Sequence, residues 1–323
     1  MTDNDFHPPP LLRNQHMQTL ISSTPLRQWP LRRRTRRLQS EARDVILQCG
    51  DGIRLHGLYN PHPQPQRGLA ILLHGWEGCA ESSYQLSSAN SLYQAGFDVF
   101  RLHLRDHGPS HALNPELYNS TRLQEVIDAV REIQRLFPHE KTFFAGHSLG
   151  GNFALRVAAK APGEGLRLDQ VVAVCPVLDP WRTMIALEQG NPIYHRYFVH
   201  RWKRSLKIKL EHFPELGYGD SLLEMQTLAD MNAYFVPNYT GFDDPRSYYE
   251  AYALTGDTLA DLRVPSQLIL SQDDPIIPCE DLARVARTPA LTVETPRWGG
   301  HCGFLMNWRL DSWIDRRLLE LFR

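Results

Sequence analysis

The stretch FFAGHSLGGN, residues 143–152, runs from a short apolar strand through a Gly-x-Ser-x-Gly turn into a helix. Glycines are needed on both sides of the serine in such a turn, because a side chain there would clash with the neighbouring strand and helix. Three fixed positions of common residues also arise by chance in roughly one chain in ten of this length. Ser148 therefore has a chemical role only if the chain also supplies a base, an acid and an anion-binding turn.

Strand-like and helical stretches alternate on both sides of this motif. Residues 69–75 and 97–104 are apolar runs, and "DVILQC" and "IRLHGLY" flank the turn signal Gly50-Asp51-Gly52. Helices are predicted over 82–95, 120–137, a short 281–285 and a closing 304–323. The alternation predicts an α/β fold with a mostly parallel, doubly wound sheet that an N-terminal antiparallel hairpin opens.

Three parts of the chain differ in composition. Residues 1–43 are rich in Pro and Arg and are predicted to be an extended lead-in. Residues 181–262 interrupt two core strands and are too long for a loop. Tyr194, Phe198, Trp202, Leu206 and Leu210 recur there at every fourth residue, which is typical of one apolar helix face. We therefore expect an inserted helical cap at 181–262, with the core formed by 44–180 and 263–323.

Candidates for the base and the acid follow the last two core strands. His301 lies in the glycine-rich stretch "RWGGHCGF", just after the strand-like "LTVET". Asp273 and Asp274 lie in "LILSQDDPIIP", after the preceding strand. We prefer Asp274 as the acid because its spacing from the strand end is the common one, and Asp273 remains the alternative. The order Ser148, Asp274, His301 is that of the α/β-hydrolases.

The anion-binding turn is expected at His74-Gly75-Trp76-Glu77-Gly78, after the strand at 69–75. The backbone N–H groups of Trp76 and Leu149 are the predicted oxyanion donors. His103, His107 and His111 have a spacing that could hold a metal on a helix, but Gly108 and Pro109 break any helix there. We expect neither a metal nor a cofactor.

With these residues in place, the chain resembles the α/β-hydrolase superfamily, and within it the YheT-like family, which is related to the eukaryotic ABHD-type lipases. The resemblance extends from "NQHMQTL" to the C-terminus and includes "LLHGWEG", "LRDHGPSHALNPELYNS", "GFDDPRSYYEAYA", "VPSQLILSQDDPIIP" and "GGHCGF". It implies a serine hydrolase acting on carboxylic esters, with Ser148, Asp274 and His301 in the triad positions.

The sequence therefore predicts a serine esterase, either a carboxylesterase or a lipase-like enzyme. Aromatic residues of the cap favour an acyl chain in the substrate, and Trp76, Tyr194, Phe198 and Trp202 are the predicted substrate-binding residues. The alternatives are a thioesterase, amidase or acyltransferase with the same triad, or a non-catalytic lipid-binding module on the hydrolase scaffold. Further candidates for lining the substrate site are the aromatic residues Tyr197, Tyr234, Phe235, Tyr248 and Tyr249.

The charge and the cysteine content limit which partners and which cellular compartment are expected. The net charge is −1, which does not favour nucleic acid, and the oligomeric state stays open. Five scattered cysteines and the absence of an apolar leader predict a cytoplasmic protein. The arginines of 32–37 and the basic cap residues are predicted to be either a solvated surface or a weak contact with an anionic membrane. Those cap residues are Arg196, Arg201, Lys203, Arg204, Lys207 and Lys209.

Overall fold

The computed structural model describes residues 6–65 and 67–323, and its centre is one sheet of eight strands. The strands are β1 (Arg43–Cys49), β2 (Ile53–Asn60), β3 (Leu69–Leu73), β4 (Asp98–Leu102), β5 (Thr142–His147), β6 (Gln170–Val174), β7 (Ser266–Ile269) and β8 (Leu291–Glu294). Their order across the sheet is β1-β2-β4-β3-β5-β6-β7-β8. β2 is antiparallel to both β1 and β4, and every other pair is parallel. The predicted fold class is confirmed.

Helices cover the sheet on both faces. In chain order the helices are α1 (Gln15–Ile21), α2 (Pro25–Arg34), α3 (Arg36–Ser40), α4 (Ser83–Gln94), α5 (Leu123–Leu136), α6 (Leu149–Lys160), α7 (Pro180–Gln189), α8 (Pro192–His212), α9 (Gly219–Glu224), α10 (Leu228–Tyr239), α11 (Pro245–Glu250) and α12 (Trp313–Leu321). α4 packs on α12, and α5 packs on α6. Every residue of β3, β4 and β5 is buried, as two-sided coverage requires.

The direction of winding reverses at β3. The chain leaves β3 through α4 toward β4 on one side, whereas β5 lies on the other side of β3 and leads through α6 to β6. Because such crossovers are right-handed, the reversal sends successive helices to opposite faces and leaves a crevice at the carboxyl ends of β3 and β5. The turn at His74–Gly78 and Ser148 both lie at this crevice.

The prediction that residues 1–43 are extended is wrong for the described residues. A 3-10 turn at Pro10–Arg13 is followed by α1, α2 and α3. The side chain of Asn14 accepts hydrogen bonds from the N–H groups of His16 and Met17 and caps α1, while Pro25 begins α2. Pro10 and Pro25 therefore lie where helices tolerate proline, in a first turn, whereas Pro30 lies inside α2.

The closing helix is also shorter than predicted. It begins at Trp313 and not at Phe304, because Phe304 and Leu310 have φ values of 45° and 60° that a helix cannot contain. The buried amide of Gln18 binds both the N–H and the C=O of Leu305, at 2.6 and 3.1 Å. A contact nearly 290 residues apart in the chain thus fixes this segment.

Five α-helices, α7 to α11, lie between β6 and β7 in the segment predicted to be the cap, which we call the cap segment (181–262). Part of its interior is a separate apolar cluster, in which Leu206, Tyr218, Leu222, Met225, Met231 and Phe235 pack with Leu117. α7 begins at Pro180, one residue before the predicted boundary. Within residues 6–65 and 67–323, no helix is both long enough and apolar enough to cross a membrane.

Candidate active site

Ser148 occupies a sharp turn between β5 and α6. Its φ and ψ are 53° and −120°, a region that a residue with a side chain adopts only when its surroundings enforce it. A Cβ atom on Gly146 would lie 2.0 Å from the carbonyl oxygen of Gly150, and one on Gly150 would lie 2.4 Å from that of His74. The two glycines therefore let the turn close, and the turn raises the serine hydroxyl above the strand ends.

Ser148, His301 and Asp274 form a continuous chain of hydrogen bonds. Ser148 Oγ lies 2.9 Å from His301 Nε2, and His301 Nδ1 lies 2.9 Å from Asp274 Oδ2. The other carboxylate oxygen of Asp274 accepts hydrogen bonds from the N–H groups of Ile276 and Ile277, both at 2.9 Å. Because both oxygens are occupied, the carboxylate is held toward His301 in an orientation that suits a proton-accepting imidazole.

Asp273, the alternative acid, points elsewhere. Its Oδ1 atom accepts a hydrogen bond from the N–H of Gly300 at 2.9 Å, and burial raises the pKa of its carboxyl group. It therefore holds the loop that carries His301 through that loop's backbone, whereas Asp274 contacts the imidazole itself.

The electrostatics of His301 follow from burial and from Asp274. Burial alone would lower the pKa of the imidazole, but the adjacent carboxylate of Asp274 together with Cys302 raises that pKa well above its ordinary value. The carboxylate thus stabilises the imidazolium form, which a base must reach when it takes a proton from a hydroxyl group.

The turn after β3 lies directly against Ser148. A Cβ atom on Gly75 would lie 3.0 Å from the Cβ of Ser148 and 3.6 Å from its Oγ. Glu77 at the end of this turn has a φ of 56°. The N–H groups of Trp76 and Leu149 donate no hydrogen bond to another residue in the described ranges, whereas those of Gly75 and Glu77 do. Leu149 is also the first residue of α6, where the helix dipole favours negative charge.

Ser148 opens into a cavity of about 720 Å³, part of which is open to solvent. Three of the four predicted substrate-binding residues line it: Trp76, Phe198 and Trp202. The rings of Trp76 and Phe198 are stacked at 5.1 Å, and Trp202 meets Trp76 edge-on at 5.4 Å. The remaining walls come mainly from apolar and aromatic side chains, which are Val177, Met184, Leu187, Tyr248, Tyr249, Tyr252, Ile276 and Ile277. We call this space the Ser148 cavity.

Tyr194 does not line the Ser148 cavity. Its hydroxyl group is 2.8 Å from Nδ1 of His16, so it joins α8 of the cap segment to α1. Among the other aromatic candidates, Tyr248 and Tyr249 line the cavity, while Phe235 and Tyr234 belong to the separate cluster inside the cap segment.

α1 contacts the loop of His301, which the sequence reasoning missed. Thr19 Oγ1 accepts a hydrogen bond from the backbone N–H of His301 at 2.9 Å and donates one to Gln15 O at 2.7 Å. A Cβ atom on Gly300 would lie 2.5 Å from Gln15 O, so a glycine is needed where the loop meets the helix. The stretch "NQHMQTL", which supports the resemblance, was the available signal for this contact.

The buried histidines His103 and His107 join their own loop to the loop that follows β3. His107 Nε2 accepts the N–H of Glu77, and His103 Nε2 accepts that of Ala80. Burial lowers the pKa of both imidazoles well below the ordinary value, so they are neutral. Within the described residues, the group of side chains spaced to share a metal ion is Cys175, His301 and Cys302. Both ring nitrogens of His301 already contact Ser148 and Asp274, so it offers no free ligand atom.

Comparison with known proteins agrees with this geometry. The family model described as "alpha/beta hydrolase fold" matches residues 70–307. The chain belongs to the alpha/beta hydrolase fold family. It is 24% identical to "Putative esterase YheT" of Escherichia coli (strain K12), over 97% of this chain and 92% of that protein. It is 25% identical to "Monoacylglycerol lipase ABHD2" of Danio rerio, over 64% of this chain and 53% of that protein.

Solved structures share the fold at lower identity. The esterase Pf2001 of Pyrococcus furiosus is 15% identical with a TM-score of 0.59, covering 89% of this chain and 94% of that one. The 2,6-dihydroxy-pseudo-oxynicotine hydrolase is 18% identical with the same TM-score of 0.59, covering 88% of this chain and 69% of that one. The expected relation to YheT-like and ABHD-type proteins is confirmed, and the protein is a hydrolase of this family.

Proposed function

We propose that the protein is a serine esterase in which Ser148 attacks a carboxylic ester. His301 accepts the proton of the hydroxyl group as the new bond forms, and then gives it to the departing alcohol. The resulting acyl-enzyme is cleaved by a water molecule that His301 deprotonates in the same way. The observation that carries the proposal is the pair of 2.9 Å contacts that link Ser148, His301 and Asp274.

The N–H groups of Trp76 and Leu149 are the proposed oxyanion donors. Each lies beside Ser148 in sequence or space and has no hydrogen-bond acceptor among the described residues. Such donors act where negative charge develops in the tetrahedral intermediate, and losing one typically lowers kcat by ~10²–10³.

The proposed substrate is a small ester or a lipid with an apolar acyl chain. The Ser148 cavity is lined by Trp76, Phe198 and Trp202, by aliphatic residues of the cap segment, and by Ile276 and Ile277, which follow Asp274. Walls of this kind exclude water and contact a hydrocarbon chain without leaving polar groups unpaired. The names of relatives, which include esterases and monoacylglycerol lipases, are consistent with this substrate class.

Weak contact with an anionic membrane is a further part of the proposal, and α2 offers the surface for it. Leu26 and Trp29 are 66% and 67% exposed on this helix, and the guanidinium group of Arg33 lies 4.3 Å above the ring of Trp29. An exposed apolar face beside arginines suits the boundary of an anionic bilayer. We also propose a cytoplasmic location, which the free thiols of the five cysteines favour.

Hydrolysis of p-nitrophenyl esters of graded chain length tests the proposal. We expect turnover of the butyrate ester by the unaltered protein and a loss of roughly 10⁴–10⁶ in kcat for Ser148→Ala. A medium acyl chain is expected to raise kcat/KM over the acetate ester, because the cavity walls are apolar. A Ser148→Ala protein that hydrolyses the butyrate at the unaltered rate would overturn the proposal.

A further inference from the structure

A second cavity, of about 540 Å³, lies next to the Ser148 cavity. The two share Tyr118, Trp202, Asn232 and Tyr248 as walls. The second cavity is lined by Leu117, Phe235 and Tyr239 on its apolar side and by Glu77 and Asp106 on its polar side. Only shared side chains therefore separate the space at Ser148 from a neighbouring space that has a polar side.

Glu77 lines this cavity with unused hydrogen-bonding capacity. It directly follows the proposed oxyanion donor Trp76, and the residue is only 7% exposed. Its backbone is fixed, since its N–H donates to His107 Nε2 and its C=O accepts from Arg201 Nη2. Its carboxyl group forms no hydrogen bond and no ion pair within 4 Å with any residue of the described ranges, although it lines the cavity.

A buried carboxyl group without a partner is costly, which makes a ligand the natural partner. Burial raises the pKa of Glu77 to about 7, so near neutral pH the group is present in forms that accept and that donate a hydrogen bond. A hydroxyl group, which is both donor and acceptor, matches either form.

The charges around the cavity argue against a cationic ligand. Asp106 is already neutralised by the ammonium group of Lys209, at 2.7 Å. The guanidinium group of Arg201 lies next to Glu77 and favours its charged form. Asp106 is therefore not free to bind a ligand cation, and the charge of a Glu77 carboxylate is already offset by Arg201, so a cation gains little here in spite of the aromatic walls.

We propose that this second cavity binds a hydroxyl group which the ester substrate carries away from its scissile bond, with the Glu77 carboxyl group as its hydrogen-bonding partner. The inference rests on the proposed esterase function and makes it more specific, because it assigns the acyl chain and the polar end of the substrate to neighbouring spaces. The hydroxyl group could belong to the alcohol or to the far end of the acyl chain, and the test separates the two.

Matched ester pairs test the proposal. One pair is ethyl butyrate and 2-hydroxyethyl butyrate, and the other is ethyl hexanoate and ethyl 6-hydroxyhexanoate. We expect kcat/KM to favour the hydroxylated member of at least one pair by about tenfold or more, as one hydrogen bond to a buried group predicts. Glu77→Leu should abolish that ratio, and Glu77→Gln, which keeps a donor and an acceptor, should retain most of it. Glu250→Leu, which removes an exposed carboxylate of the cap segment, is the control.

The outcomes are distinguishable from failure of the esterase function itself. If every ester is hydrolysed but neither pair shows a ratio that depends on Glu77, this inference is wrong and the esterase function stands. If Glu77→Leu lowers kcat/KM equally for all four esters, Glu77 has a structural role and the inference is also wrong. Butyrylcholine and its uncharged isostere 3,3-dimethylbutyl butyrate form a third pair, and a Glu77-dependent preference for the cation in that pair would overturn the hydroxyl assignment.

Discussion

Replacement of Thr19 by valine isolates what α1 contributes to the active site. Valine keeps the shape of threonine but removes the acceptor that holds the backbone N–H of His301 at 2.9 Å. A buried N–H without a partner costs about 1–3 kcal/mol. If that penalty is released by moving the loop of His301, kcat falls roughly 5- to 150-fold, far less than the ~10⁴ expected when a triad member is lost.

The assay is steady-state hydrolysis of p-nitrophenyl butyrate, with kcat and KM determined separately. We expect the loss in kcat, with KM little changed, because Thr19 does not line the Ser148 cavity. Thr19→Ser keeps the hydroxyl group and should retain most of the activity. Thr35→Val is the control. It removes a buried hydroxyl group of the same N-terminal segment that donates to Leu31 O and not to the loop of His301. Equal losses in Thr19→Val and Thr35→Val, or full activity in Thr19→Val, would refute the positioning role.

Three further predictions concern the acid, a buried ion pair and the membrane surface. Asp274→Asn should lower kcat by about 10⁴, while Asp273→Asn should be milder; the opposite ranking would exchange their roles. Because Asp274 raises the pKa of His301, and the neutral imidazole is the active base, the rise of kcat/KM with pH should move to lower pH in Asp274→Asn. Lys209→Met leaves Asp106 buried without its partner and should reduce the free energy of unfolding in urea by about 3–5 kcal/mol, whereas the exposed Lys207→Met should change it by less than about 0.5 kcal/mol. The fraction of protein that sediments with vesicles rich in phosphatidylserine should be lowered by Trp29→Ser and by high salt. If neither lowers it, α2 is not part of the membrane-contact surface.

Residues that lie at strand ends were the ones that the sequence predicted best. Ser148 and His301 are 153 residues apart in the chain, with Asp274 between them, yet each of the three follows a parallel strand of the same sheet. Strand ends of such a sheet meet at one edge, so order along the chain is enough to bring them together. The choice between Asp273 and Asp274 depended on local backbone geometry, because the N–H groups of Ile276 and Ile277 orient only one of the two carboxylates.

Residues on helices of the cap segment were predicted less well. Tyr194, Phe198 and Trp202 are spaced four apart, and each step of four advances about 40° around a helix. The row of side chains therefore winds around α8 instead of staying on one face. Phe198 and Trp202 line the Ser148 cavity, whereas Tyr194 contacts His16 of α1. The prediction that Lys209 belongs to an exposed basic face was wrong, since Lys209 is buried against the loop of Asp106.

The N-terminal helices were missed because their stability depends on distant partners. Gln18 is fully buried, with its amide bonded to Leu12 and to the distant Leu305, and the hydroxyl group of Thr19 accepts a hydrogen bond from the loop of His301. A short segment rich in Pro and Arg carries little helical periodicity, so nothing local separates these helices from an extended chain. Tertiary packing supplies the missing stabilisation, and the sequence alone does not show which C-terminal residues these helices pack against.

Mapping the site of covalent labelling tests the central claim most directly. The protein is treated with a fluorophosphonate, digested, and analysed by mass spectrometry of its peptides. The account predicts one modified residue, Ser148, with labelling abolished in Ser148→Ala and strongly slowed in His301→Ala, since the serine hydroxyl group is reactive only beside its base. Labelling at another serine, or equal labelling of Ser148→Ala, would contradict the assignment of Ser148 as the nucleophile.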